Sequence, residues 1–171
     1  IKQNKHTKII CIADNIIPHE KRFGDTQFTK YFVQPIDAFI TMSEKVMTDL
    51  KKFSSKPAKQ IVHPLYDNFG DAIPKETARK YLNISEQENI ILFFGFIRKY
   101  KGLDMLFEAI QLIRNKKEVI KNIKLLVAGE FYEDRSGYDE LIRSSGIENK
   151  LILKTDFIPD SEVKNYLCAA D

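Results

Sequence analysis

Apolar and polar positions alternate between two kinds of segment along the 171-residue chain. Short unbroken apolar runs predict buried strands, and apolar residues spaced three and four apart predict helices. Lys8 to Ala13 reads as a buried strand, and Thr26 to Val33 as a helix with Phe28, Tyr31 and Phe32 turned inward. Asp37 to Met42 is a second strand. Ser43 is then placed to cap a helix whose stripe is Val46, Met47, Leu50 and Phe53. Lys59 to Val62 is a third strand. His63 to Gly70 has no period and carries Pro64, Asn68 and Gly70, so it reads as a connector, with His63 a hinge contact or a structural histidine.

After the connector the pattern restarts. A short helix at Thr77 to Leu82 precedes Ile90 to Phe94, an apolar run expected to be a strand buried on both faces. From Leu103, apolar residues recur at 103, 106, 107, 110 and 113, one face of a helix, and Lys116 and Lys117 suit its C-terminus. A strand at Ile123 to Ala128, a helix at Ser136 to Ser145 with Gly146 at its C-cap, and a strand from Leu151 follow. Asp160 is expected to cap the last helix. Strand and helix alternate end to end, which predicts an α/β fold of Rossmann-like parallel sheets flanked by helices.

Composition narrows this modestly. A hydrophobic fraction of 43% supports a core, and a net charge of +3 is too small to argue for nucleic acid. Residues 1–68 hold 11 Lys and Arg against 7 Asp and Glu, and the remainder 16 against 17. The basic first part suits an anionic acceptor or a membrane surface. Cys11 and Cys168 sit in apolar surroundings and read as buried free thiols, and the scattered histidines and cysteines suggest no metal site. No run reaches the ~18 apolar residues of a membrane span. The chain opens at Ile1 without Met and stops at Cys168-Ala-Ala-Asp171, which suggests a piece of a longer protein.

Candidate chemistry gathers in loops that follow strands. Gly95 to Gly102 holds Arg98, Lys99 and Lys101 between two glycines and runs into a helix N-terminus. That arrangement suits an anion, and Arg98 and Lys101 are the candidate phosphate ligands, although loop cations of this kind are as often simply solvated. Gly129 allows close approach to the backbone at a strand end, and Glu130 could accept hydrogen bonds from a ribose or sugar hydroxyl or face solvent. In the first part, Asp14 to Glu20 follows a strand end, where open α/β sheets meet ligands. His19 is a candidate acid–base group that Asp14 or Glu20 could orient, or the loop is polar by default.

Three segments in order carry a family likeness. They are Leu-Phe-Phe-Gly95-Phe-Ile-Arg98-Lys-Tyr-Lys101-Gly102-Leu-Asp, Leu-Leu-Val-Ala-Gly129-Glu130, and Asp156-Phe-Ile-Pro159-Asp-Ser-Glu-Val leading to Ala-Ala-Asp171. They resemble the retaining group 1 glycosyltransferases (family 4, GT-B fold). Asn15 to Glu20, Asp37 to Ser43 and His63-Pro64 look like the end of that family's N-terminal domain and its crossing to the second domain.

The resemblance implies residues 1–68 as the last part of an acceptor-side domain and 69–171 as the first half of a nucleotide-sugar domain. It implies transfer of a hexose from a nucleoside-diphosphate sugar to a glycan or lipid-linked acceptor with retention, without a metal or other cofactor. Gly95, Arg98, Lys101 and Gly102 would bind the donor diphosphate, and Gly129, Glu130, Phe157, Ile158 and Pro159 would lie at the nucleotide. His19 and Asp14 would serve as catalytic groups on the acceptor side. The family's arginine commonly follows the glycine directly, where this chain has Phe96, and Arg98 stands two positions on. The family's acidic motif follows Ala-Ala-Asp and its glycine-rich loop lies before the position of Ile1, so weak or no activity is expected of residues 1–171 alone. The implied setting is polysaccharide assembly in the cytoplasm, with peripheral contact at the inner face of the plasma membrane and no nucleic-acid partner. A non-catalytic nucleotide-binding or interaction module, or a GT-B epimerase or phosphorylase, are the rival expectations.

Overall fold

The computed structural model describes residues 6–20, 22–114 and 122–171, so the expectation for Lys116 and Lys117 lies outside the described residues. The chain divides into two compact units, Ile1–Leu65 and Tyr66–Asp171.

The first unit carries a parallel three-stranded sheet in the order β1-β2-β3. Its strands are β1 (Ile10–Ala13), β2 (Ala38–Thr41) and β3 (Ala58–Gln60), with helices α1 (Asp25–Val33) and α2 (Glu44–Leu50) between them. The backbone of Ser43 is extended, and its hydroxyl accepts a hydrogen bond from the Val46 amide at 3.2 Å, which starts α2 where the sequence placed it. The core is Ala13, Ile16, Val33, Ile36, Phe39, Val46 and Leu50.

Two burial expectations fail in this unit. β1 is not a buried strand: Ile10 and Ile12 are 63% and 64% exposed, because β1 is an edge strand that directs alternate side chains to a face without core contacts. On α1, Phe28, Tyr31 and Phe32 are exposed and Val33 is buried. The helix seats its Thr29–Val33 stripe, not the aromatic stripe beside it, and the Thr29 hydroxyl donates to the Ile16 carbonyl at 3.4 Å.

The second unit repeats the plan with β4 (Asn89–Phe94), β5 (Ile123–Ala128) and β6 (Leu151–Lys154) in the parallel order β4-β5-β6. Around it lie α3 (Lys75–Leu82), α4 (Leu103–Arg114), α5 (Ser136–Ser145) and α6 (Asp160–Ala169). The unbroken apolar run at 90–94 is not buried on both faces. β4 lies at the edge, with Ile91 39% and Phe94 36% exposed, while central β5 buries Leu125, Leu126, Val127 and Ala128 completely. One face of β5 packs on α4 and α5 through Leu103, Phe107, Ile110 and Ile142. The other packs on α3 and α6 through Ala78, Leu82, Tyr166 and Ala169. Gly146 ends α5 at φ 60°, as its sequence position suggested. Asp160 does not cap α6. Pro159 holds that position, and the Asp160 carboxylate accepts from the Asn68 amide at 2.6 Å.

A polar knot that sequence patterning did not reveal fastens this unit. The Asp171 carboxylate accepts from Arg79 Nη2 at 2.6 Å, Lys75 Nζ at 2.9 Å and the Ile90 amide at 2.6 Å. Arg79 is almost wholly buried, and its other donors reach the carbonyls of Ala169 and Glu86. A buried guanidinium persists only when its donors are matched in this way. The Lys75 ammonium and the Ile90 amide hold the Asp171 carboxyl below its ordinary range.

Candidate functional site

Three loops leave the carboxyl ends of β4, β5 and β6 and meet in the second unit. The first turns at Gly95 (φ 101°), runs through buried Ile97, forms a short 3-10 turn at Lys99–Lys101, and closes on Gly102 (φ 72°) where α4 begins. Both glycines lie in the left-handed region that other residues seldom adopt. The second loop starts at Gly129 (φ 136°). A Cβ there would fall 2.3 Å from the Gly95 carbonyl oxygen, so the group that approaches Gly129 closely is the neighbouring loop. The strand ladder continues past the strands: Gly95 N–H donates to Ala128, Ile97 N–H to Glu130 and Tyr132 N–H to Ile97, at 2.9, 2.8 and 3.1 Å. Ile97 and Phe131 thereby form an isolated parallel bridge, and both side chains join the α4–α5 core.

The three cations of the first loop have different fates. Lys99 is ion-paired with Asp104, and each is held in its charged form by the other, the lysine raised and the carboxyl lowered. Among the described residues, neither Arg98 nor Lys101 is paired with a carboxylate. The Lys101 ammonium would lie 3.5 Å from a Cβ on Gly95, so it rests over the end of β4. The Arg98 guanidinium stacks on the Tyr132 ring, 3.8 Å from its centroid.

Beside these loops lies a cavity of about 200 Å³, lined by Phe69, Phe94, Gly95, Phe96, Gly129, Glu130, Phe157, Ile158, Asp160 and Val163. Of the residues expected at a nucleotide, Gly129, Glu130, Phe157 and Ile158 line it, together with Gly95 from the expected diphosphate set. Pro159, Arg98, Lys101 and Gly102 are not among its lining residues. The cavity is smaller than the roughly 300–1,000 Å³ of a whole drug-sized ligand site, so it suits one flat group of a larger ligand. Four phenylalanine rings give it an aromatic wall, and Glu130 and Asp160 supply acceptors. Sequence reasoning missed Phe69, Phe94, Phe96, Asp160 and Val163. Proximity to Gly95 could have flagged Phe94 and Phe96, whereas no local pattern marks Phe69.

In the first unit, Asp14 lines a hollow of about 460 Å³ between the end of β1 and α1, together with Phe28 and Phe32. A second hollow of about 260 Å³ is lined by Ile17, Pro18, Arg22 and Asp25 among others, and His19 is exposed outside both linings. Glu20 stands 3.6 Å from Arg22. Among the described residues no three His, Cys, Asp or Glu gather as a metal site, and no helix is long and apolar enough to cross a membrane.

Comparison with known proteins gives this geometry a context. The lipopolysaccharide 1,2-N-acetylglucosaminetransferase of Salmonella typhimurium is 36% identical over 64 residues, covering 37% of this chain and 16% of that protein. The crystal structure of Anabaena Alr3699/HepE in complex with UDP and glucose superposes with a TM-score of 0.77 at 14% identity, over 96% of this chain and 45% of that one. WaaG, a glycosyltransferase involved in lipopolysaccharide biosynthesis, superposes with a TM-score of 0.68 at 16% identity, over 94% of this chain and 51% of that one. Such structural likenesses show the fold, a part of the GT-B architecture. The chain spans about half, or less, of the length of each of these relatives. The family model for glycosyl transferases group 1 matches residues 74–171, which is more than half of the sequence, and the chain belongs to that family.

Proposed function

We propose that this chain is part of a retaining family 4 hexosyltransferase that moves a sugar from a nucleoside-diphosphate donor to a glycan or lipid-linked acceptor, with no metal or other cofactor. The observation that carries this proposal is the meeting of three strand-end loops around an aromatic cavity, with two cations on the loop before α4 that have no carboxylate partner among the described residues. The cavity would take the nucleobase, between Phe157 and the Phe94–Phe96 wall, with Glu130 accepting from a ribose hydroxyl. Lys101 and Arg98 would face the diphosphate and offset the negative charge that grows on it as the sugar leaves. Gly95 and Gly102 shape the loop that presents them. Pro159 would bear on the nucleotide indirectly, by setting the start of α6 behind Ile158. Asp14 and His19, in the first unit, would serve the acceptor side.

The proposed whole protein works in polysaccharide or lipopolysaccharide assembly, in the cytoplasm or peripherally at the inner face of the plasma membrane. A relative named as a lipopolysaccharide N-acetylglucosaminetransferase and a fold neighbour involved in lipopolysaccharide biosynthesis support that setting, as does the positive balance of residues 1–68. The test is a titration of the protein with UDP, GDP and ADP followed by calorimetry, and then the same titration of Arg98→Ala and Lys101→Ala. The proposal expects saturable binding of at least one nucleotide, weakened about ten-fold by each loss of a charge-assisted contact. Binding that is indifferent to both substitutions would overturn the diphosphate assignment.

A further inference from the structure

The ring of Tyr132 is placed to do more than cover surface. Ile97 and Phe131 pair across the continued ladder and point into the core. In extended chain the residues on either side of an inward one point outward together. Phe96 and Arg98 flank Ile97, and Glu130 and Tyr132 flank Phe131. Phe96 and Glu130 line the aromatic cavity, so Arg98 and Tyr132 belong to the same outward side, one step along from it. Arg98 is extended (φ −133°, ψ 149°), has no carboxylate partner among the described residues, and lies 3.8 Å from the centroid of the Tyr132 ring. An aromatic face attracts a guanidinium without neutralising it, so the cation keeps its charge and its N–H donors for another anion.

We propose that Tyr132 is a positioning residue that holds Arg98 at the rim of the cavity, and that this stack lets an arginine two places beyond Phe96 face the donor diphosphate. The inference rests on the nucleoside-diphosphate reading above. It assigns Tyr132 an effect on affinity through its ring face, not through its hydroxyl.

Calorimetric titration with UDP, GDP and ADP, and with inorganic pyrophosphate as a base-independent probe, tests it on Tyr132→Ala, Tyr132→Phe, Arg98→Ala, Lys101→Ala and the Tyr132→Ala/Arg98→Ala pair. Tyr132→Ala should weaken binding about two- to five-fold, the range of an exposed cation–π contact, and Tyr132→Phe should restore it. The double variant should bind no more weakly than Arg98→Ala alone. Tyr132 is 63% exposed, so thermal unfolding of its variants should match that of the unsubstituted protein, which separates positioning from folding. Unchanged affinity in Tyr132→Ala, or a Phe variant as weak as the Ala variant, would overturn the inference. If Lys101→Ala loses affinity while Arg98→Ala does not, the inference fails and the phosphate reading of the loop survives. If neither changes, the underlying reading fails with it.

Discussion

Gly129 and Gly95 touch through their backbones: a Cβ on Gly129 would sit 2.3 Å from the Gly95 carbonyl oxygen and 2.7 Å from its carbonyl carbon. Neither atom is the end of a flexible side chain, so neither can give way cheaply. Gly129 also holds φ 136°, outside the range of an ordinary residue. Gly129→Ala should cost about 2–4 kcal/mol in urea unfolding, from strain and clash together. Because the loop that must shift carries Gly95, nucleotide binding should fall as well. An Ala variant with an unchanged urea midpoint would show that the two loops are not locked together.

Lys99 and Lys101 stand two positions apart with different expected effects. Lys99 is spent on Asp104, whereas Lys101 has no carboxylate partner among the described residues and rests over Gly95. Lys99→Ala should leave affinity for UDP, GDP or ADP within about two-fold, while Lys101→Ala should lower it about ten-fold. Raising the salt concentration should narrow the Lys101 effect, since exposed charges are screened. Equal losses in the two variants would mean that general positive charge is being read, not one placed ammonium.

Asp171 binds three donors, and one of them belongs to the buried Arg79. Asp171→Asn should cost about 1–3 kcal/mol in urea unfolding, because a neutral amide cannot match the guanidinium, the ammonium and the Ile90 amide at once. The figure is kept below that of a fully buried pair because the Asp171 side chain is 39% exposed.

The same carboxylate sets a pH dependence. Its folded pKa lies below the ordinary 3.8, so its contribution is complete above that value and is lost as the pH falls through the lower, folded one. Asp104 and Asp49 are lowered too, by Lys99 and by Lys52 with Lys45, and act in the same direction. Thermal midpoints should therefore drop below about pH 4, and the drop should be smaller in Asp171→Asn. A variant whose acid profile parallels that of the unsubstituted protein would remove Asp171 from the account.

The Ser43 side chain closes the first turn of α2 in the way the sequence anticipated. Ser43→Ala should destabilise that unit by about 1 kcal/mol, and Ser43→Thr should recover most of it, as read by the urea midpoint. No loss in the Ala variant would mean that packing of Val46 and Leu50 alone holds α2.

Much of the second unit was legible without coordinates. The order of strands and helices, the α4 stripe of Leu103, Phe107 and Ile110 and the turn at Gly146 follow from local patterns, whereas Phe157 and Ile158, which line the cavity beside Gly95, Gly129 and Glu130, were marked only by the family resemblance. Such patterns are local because helix and strand periods, caps and left-handed turns depend on residues a few positions apart. What escaped depends on residues far apart in sequence. Periodicity turned the aromatic stripe of Phe28, Tyr31 and Phe32 inward on α1, and packing seats Val33 instead. Phe69 reaches the cavity from about two dozen positions before Phe94, with no signal of its own.

The sequence by itself determined that strands alternate with helices and that a basic loop between two glycines follows the run Ile90 to Phe94, because those are properties of neighbouring side chains. Only the tertiary structure decided that β5, not β4, lies at the centre, since burial on both faces depends on strand order, which no single strand encodes. It likewise decided the partners of the loop cations: Asp104 takes Lys99, and Tyr132 takes Arg98 across a bridge that joins two separate strand ends.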